Sequence, residues 1–68
     1  MHVVELRYSS DAATAIMGTM RRWLDNGQAQ PATVRYAPFG TATVLHVDFD
    51  LEAEARAFAQ AFGGIILP

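Results

Sequence analysis

The sequence contains no cysteine and no lysine among its 68 residues. The absence of cysteine excludes disulfide bonds and metal sites built from thiolates. A chain of this length buries only about 60% of the surface that its unfolded form exposes. Small domains therefore usually need a disulfide, a bound metal, a partner or very close packing to be stable. Hydrophobic residues make up 51% of the chain and charged residues 18%. We therefore expect close packing or self-association to stabilise it.

Positive charge is scarce. All five basic residues are arginine and the net charge is −2. The arginines are scattered, apart from the adjacent pair Arg21 and Arg22. Proteins that bind nucleic acids usually concentrate basic residues on one surface, because neutralised phosphates supply much of the affinity. The composition therefore disfavours nucleic-acid binding.

Long apolar runs are absent as well. No run approaches the roughly 20 residues that a membrane-spanning helix needs. The N-terminus has no basic segment ahead of an apolar stretch, which is unlike a secretory signal peptide. The sequence also shows no repeat, linker or low-complexity segment. We expect one domain over residues 1–68 that is cytoplasmic, has no cofactor and does not bind a membrane.

The first part of the chain predicts a strand and then a helix. Alternation of apolar and polar residues from His2 to Tyr8 predicts a half-buried strand. From Asp11 to Asn26 the apolar residues recur at helical spacing, and Ser9, Ser10 and Asp11 offer side chains that could cap the helix. The buried stripe of this helix is expected to be Ala13, Ile16, Met17, Met20 and Leu24.

A hairpin follows. Residues 32–37 and 41–49 alternate like paired strands, and Val34 and Tyr36 are expected to face the core. Between them, residues 37–40 predict a tight turn in which Pro38 presets the backbone and glycine closes the bend.

The last part of the chain predicts a second helix and a short strand. Asp50 is the expected cap, and Gly63–Gly64 is a stop signal. The buried stripe of this helix is expected to comprise Leu51, Ala55, Phe58 and Phe62. Residues 65–67 are apolar and long enough for a brief strand at the edge of a sheet.

The element order is therefore β-α-β-β-α, with a final β expected. This order and the chain length resemble the ferredoxin-like superfold. The resemblance implies an α+β, two-layer α/β sandwich, in which two helices cover one face of an antiparallel sheet and the other face is open. Because this superfold hosts unrelated functions, the resemblance transfers no activity.

Three residues on the predicted open face are candidates for a metal or catalytic site. Glu5, His46 and Asp48 would share that face if their strands are neighbours, and they are ligand and acid–base types. The alternative is a set of cross-strand charge pairs that compensate one another.

Two further groups are candidates for binding a partner. Arg21, Arg22 and Trp23 belong to residue types enriched at interaction hot spots, and they could bind an acidic partner or a base. Alternatively, the arginines form a solvated helix face and the tryptophan lies at the core edge. The apolar segment Ile65, Ile66 and Leu67 could pair with another chain at a sheet edge, or could be covered by the helices of the same chain.

Residues 47–49 and 54–58 resemble the third strand and second helix of RNA-recognition motifs. Those domains stack RNA bases on aromatic residues of the open face. Here the corresponding outward positions are occupied by Glu5, Arg7, Val44, His46 and Asp48. The loop after the first strand, residues 9–11, has neither the two cysteines of heavy-metal-associated domains nor the arginine of acylphosphatases. It also lacks the usual Pro-Gly of ACT-type regulatory domains, which bind amino acids at dimer interfaces near this loop. Ligand binding stays open as an alternative because that family is divergent.

The sequence therefore predicts a non-enzymatic module that binds a protein or a small ligand and self-associates through its C-terminal strand. The alternatives are a metal-binding or catalytic site at Glu5, His46 and Asp48, and nucleic-acid binding through the first helix, which the acidic pI of about 5.4 disfavours.

Overall fold

The computed structural model describes residues 2–27 and 29–68, without the side chain of residue 32. It is an α+β structure with a four-stranded antiparallel sheet and two helices, as the sequence predicts. The elements in chain order are β1 (His2–Ser9), α1 (Ser10–Asp25), β2 (Pro31–Phe39), β3 (Ala42–Phe49), α2 (Glu52–Phe62) and β4 (Ile65–Ile66).

Hydrogen-bonded neighbours in the sheet follow the order β2-β3-β1-β4, and each pair is antiparallel. Strands β1 and β3 therefore form the centre, and β2 and β4 form the edges. Leu6 pairs with Leu45, and Glu5 pairs with His46. The short strand β4 pairs with β1, and the Leu67 N–H extends this contact by donating to the Val3 carbonyl at 2.8 Å.

The core lies between the central strands and the two helices. Its largest fully buried side chains are Val4, Leu45, Val47, Phe49 and Phe58. Met20 of α1 and Ala55 of α2 belong to the same cluster, so both helices pack on the apolar face of β1 and β3. The predicted stripe of α1 is confirmed: two of its members are buried, and the other three pack against the core.

The predicted turn at residues 37–40 is wrong. Strand β2 continues through Pro38 to Phe39, and the loop consists of Gly40 and Thr41. Gly40 has a φ of 64°, which suits the first position of a two-residue hairpin loop. Pro38 is tolerated inside the strand because β2 lies at the sheet edge, where a missing N–H breaks no bond to a second neighbour.

The predicted burial of β2 is also wrong. Val34 and Tyr36 lie on the helix side of the sheet, opposite Val47 and Leu45, yet they are 49% and 64% exposed. The helices pack over β1 and β3, so the edge strand extends beyond their cover. Leu51, expected in the buried stripe of α2, is 59% exposed because it precedes the first turn of that helix.

The capping scheme differs from the prediction as well. Ser9 and Leu51 occupy the N-cap positions of α1 and α2, and neither side chain makes a capping hydrogen bond within the described part of the chain. Asp50 precedes the N-cap of α2 by one residue. The Ser10 hydroxyl instead lies 3.1 Å from the Thr43 hydroxyl and ties α1 to β3.

Within residues 2–27 and 29–68, neither helix combines the length and the apolar content that crossing a bilayer requires.

Two glycines differ in what surrounds them. A Cβ at Gly64 would lie 2.8 Å from Val4 Cγ1, 2.9 Å from Leu6 Cδ2 and 3.0 Å from the Glu5 carbonyl oxygen. Val4 and Leu6 are buried, so they cannot easily move aside. A Cβ at Gly18, in the middle of α1, meets no described atom within 4 Å.

We therefore predict opposite effects of the same substitution. Gly64→Ala should lower the free energy of unfolding by about 1–3 kcal/mol, because it overpacks the contact between β1 and the segment before β4. Gly18→Ala, the matched control, should raise it by up to about 1 kcal/mol, because it removes a glycine from a helix. Urea unfolding measures both, and equal effects at the two positions would contradict this account.

Candidate functional site

The open face of the sheet carries side chains from alternate residues of all four strands. The strand register places Ile65, Glu5, His46 and Arg35 in one row across the sheet. The next row contains Val3, Asp48 and Thr33. The three candidate metal or catalytic residues therefore share this face, as their alternation in the sequence indicates.

Glu5 and His46 form a direct pair. The Nε2 atom of His46 lies 3.0 Å from Oε2 of Glu5. The side chain of His46 is 33% exposed and that of Glu5 is 25% exposed. A histidine next to a carboxylate could move a proton, but such a pair needs a substrate or a nucleophile within reach to act in catalysis.

Asp48 is bonded to different partners. It is 5% exposed. The Thr33 hydroxyl donates to its Oδ2 at 2.6 Å, and Nη2 of Arg35 donates to Oδ1 at 3.2 Å and Oδ2 at 3.4 Å. Both carboxylate oxygens are thus bonded to β2, which ties the edge strand to β3.

These contacts shift the acidity of Asp48. The hydrogen bond from Thr33 is the largest influence and lowers the pKa of the carboxyl group. Partial burial acts in the opposite direction, and the positive charge of Arg35 again favours the ionised form. The net result is a pKa below the ordinary value of 3.8.

The structure thus separates the three candidates into two bonded groups. Among the described residues, no cluster of three or more histidine, aspartate or glutamate side chains is arranged to hold a metal ion. Arg7 makes a further open-face contact, in which its guanidinium carbon lies 5.8 Å from the ring centre of Phe39. Thr33 was missed as a partner of Asp48 because the sequence does not reveal which residues stand opposite one another.

The candidate partner-binding residues lie in different places. Arg21 and Arg22 are exposed on α1. Trp23 is half-buried, and its ring centre lies 5.5 Å from the ring centre of Phe58 and 5.9 Å from that of Phe62. On the C-terminal segment, Ile65 is 62% exposed and Ile66 36% exposed. Leu67 is half-buried.

A groove of about 480 Å³ runs between α1 and β2. Met17 and Leu24 of α1 line one side, and Val34 of β2 lines the other. Arg21 and Asp25 supply one charge of each sign. The sequence pattern does not predict this groove, because alternation assigns a residue to a face without showing whether a helix covers it. The signal that could have found it is the pair of prolines, at positions 31 and 38, which marks an edge strand.

Comparison of the chain with protein-family models, with curated proteins and with solved structures gave no match.

The lowered pKa of Asp48 gives a pH prediction. A carboxyl group whose pKa is lower in the folded state stabilises that state above the unfolded pKa, and the contribution is lost as the pH falls through the folded pKa. We expect the free energy of unfolding to fall as the pH decreases below 3.8. Replacing Thr33 by valine should raise the pKa of Asp48 towards that value and weaken this dependence, because it removes the main hydrogen bond.

The measurement is the pH titration of the Asp48 carboxyl carbon by NMR. Thr14→Val makes the same chemical change at an exposed position on α1 and should leave the titration unchanged. An Asp48 pKa that is equal in the wild type and in Thr33→Val would show that the hydroxyl does not hold the carboxylate.

Proposed function

We propose that this chain is a non-catalytic protein-interaction module that binds through β2 and the adjacent groove. The observation that carries the proposal is the exposure of the edge strand, since every residue from Thr33 to Phe39 is exposed. Val34, Tyr36 and Phe39 contribute large apolar surfaces to it. Contiguous exposed apolar surface is typical of sites that bind other proteins.

The edge strand also provides backbone groups. An edge strand has a row of N–H and C=O groups without a neighbour, and an added strand can bond to them. Strand β2 has nine residues, whereas β4 has two. In strand addition, backbone bonds give affinity and pockets for alternate side chains give specificity. The groove beside Val34 supplies such a pocket.

The open face supports a structural role better than a catalytic one. Its carboxylates are bonded to residues of the same face, and within the described part of the chain every buried side-chain nitrogen or oxygen atom has a partner. A small ligand is less well matched to the groove, because small-molecule sites usually enclose most of the ligand surface. Nucleic-acid binding is disfavoured by the net charge and by Asp25 beside Arg21.

We also infer that the fold is a ferredoxin-like sandwich. The element order and the strand order β2-β3-β1-β4 support this inference. In this arrangement β2 is an edge strand joined to its sheet by a hairpin, which leaves its outer side available to a partner.

A site-specific crosslink tests the proposed surface. A photoreactive benzoyl-phenylalanine at position 36 should crosslink to protein in the native host cells, because Tyr36 is 64% exposed on the proposed surface. The matched control places the same residue at position 57, where the exposed Ala57 lies on α2. Protein adducts at position 36 and none at position 57 are expected. Absence of adducts at position 36, or equal yields at both, would show that β2 is not the binding surface.

A further inference from the structure

We propose that β2 binds a second copy of this chain, in antiparallel register about a two-fold axis at Tyr36. The inference rests on the proposed function, because it names the partner of the same surface. It differs from self-association through β4, which the apolar residues 65–67 suggest in the sequence.

Pro38 identifies the backbone groups that face outward. It stands opposite Thr43 of β3 and has no N–H to donate. A proline fits an edge strand where its nitrogen points away from the neighbouring strand. Residues in an antiparallel pair alternate between bonding to the neighbour and pointing away from it, so Val34 and Tyr36 also direct their N–H and C=O groups to the free edge.

The regular part of β2 sets the position of the axis. The pairing of β2 with β3 is irregular between Pro31 and Thr33 and continuous from Thr33 to Phe39. Tyr36 is the midpoint of that continuous part. An axis there lets the two Tyr36 residues exchange backbone bonds. Each Val34 N–H can then donate to the carbonyl of the partner's Pro38, whereas the Val34 carbonyl receives no bond in return because Pro38 has no N–H.

Charge selects this register over the neighbouring one. An axis at Arg35 would place each Arg35 opposite its own copy, and like charges directly opposite one another destabilise a sheet. With the axis at Tyr36, Arg35 stands opposite the partner's Ala37. Its guanidinium remains bonded to Asp48 of its own chain.

The distribution of charge along α1, the helix beside the groove, favours contact with a second copy. Asp11 lies in the first turn of α1, and its last two turns contain Arg21, Arg22 and Asp25. A two-fold axis reverses the second helix. The two copies of α1 are then antiparallel, so the acidic first turn of one helix lies at the same end of the interface as the net positive last turns of the other. A surface that contacts its own copy must be self-complementary in this way.

Apolar contacts complete the proposed interface. Val34 and Tyr36 lie on the helix side of β2, so pairing of two β2 strands brings the two grooves next to each other. The exposed Tyr36 rings become a cross-strand pair, which is a stabilising arrangement for aromatic residues. Space for the partner's side chains exists at Gly18, which lines the groove and has no described neighbour within 4 Å of an added Cβ.

Sedimentation equilibrium over a range of concentrations tests the proposal. The wild type should reach twice the mass of the 7.4 kDa chain. Tyr36→Lys should raise the dissociation constant by at least about tenfold, because two lysines would then face each other at the axis. Leu51→Lys replaces a comparably exposed apolar residue that lies outside β2 and does not line the groove, and it should have no effect. Ile65→Lys should also have no effect, and it reports on pairing through β4.

Amide hydrogen exchange provides a second readout that needs no substitution. In the wild type, the N–H groups of Val34 and Tyr36 should become protected as the concentration rises, because they bond to the partner strand only in the dimer. If these amides are equally unprotected at all concentrations, the strand pairing is wrong, whatever the folding of the Tyr36 variant.

The remaining outcomes separate this inference from the proposed function. A wild type that stays monomeric throughout would overturn the dimer. In that case, a crosslink from position 36 to a different protein would leave the proposed function standing, and no crosslink would refute both. Dissociation by Ile65→Lys but not by Tyr36→Lys would place self-association at β4 and overturn the inference.

Discussion

The packing of Phe58 against Phe49, with ring centres 5.3 Å apart, is the contact on which the rest of the structure depends. Both residues are fully buried, and they join α2 to β3. Trp23 packs edge-on against Phe58 and Phe62, which draws α1 towards α2 and over the centre of the sheet. These aromatic contacts close the core over β1 and β3, and they therefore leave the outer strand β2 without a helix above it.

The open face follows a different principle. Its charged residues form cross-strand pairs: Glu5 and His46 join β1 to β3, and Arg35 and Asp48 hold the exposed edge strand β2 to β3. Thr33 and Arg35 of β2 both bond to Asp48 of β3, at a position where the apolar face of β2 receives little support from the helices. We conclude that polar contacts on one face compensate for missing apolar contacts on the other. The same residue types could be mistaken for a catalytic site when their partners are unknown.

Periodicity was sufficient to predict the elements, but not their surroundings. The stripe of α1 ending at Leu24 and the alternation of β1 follow directly from side-chain geometry. The turn was misplaced because Pro38 is a strong turn signal, whereas Gly40 alone provides the positive φ that the hairpin needs. The predicted side of the sheet for Tyr36 was correct, but its predicted burial was wrong. Burial depends on where the helices lie, and their position depends on Trp23 and residues distant from it in the sequence. Likewise, the hydrogen bond from Thr33 to Asp48 depends on the strand register, and the local sequence does not determine that register.

The composition of β2 is consistent with a limited interaction rather than open-ended assembly. Natural edge strands commonly carry proline or charge, which restrict pairing with other chains. Here Pro31 begins the strand, Pro38 is its second-last residue and Arg35 lies near its centre. Arg35 disfavours the register that brings it opposite its own copy, and Pro38 has no N–H to donate to an added strand. The register centred on Tyr36 avoids the pairing of like charges and loses one backbone hydrogen bond at each Pro38. Because a two-fold contact uses the same surface on both chains, it closes on itself and leaves no further β2 edge exposed. Arg35, which restricts pairing, would thus also set the register of the contact.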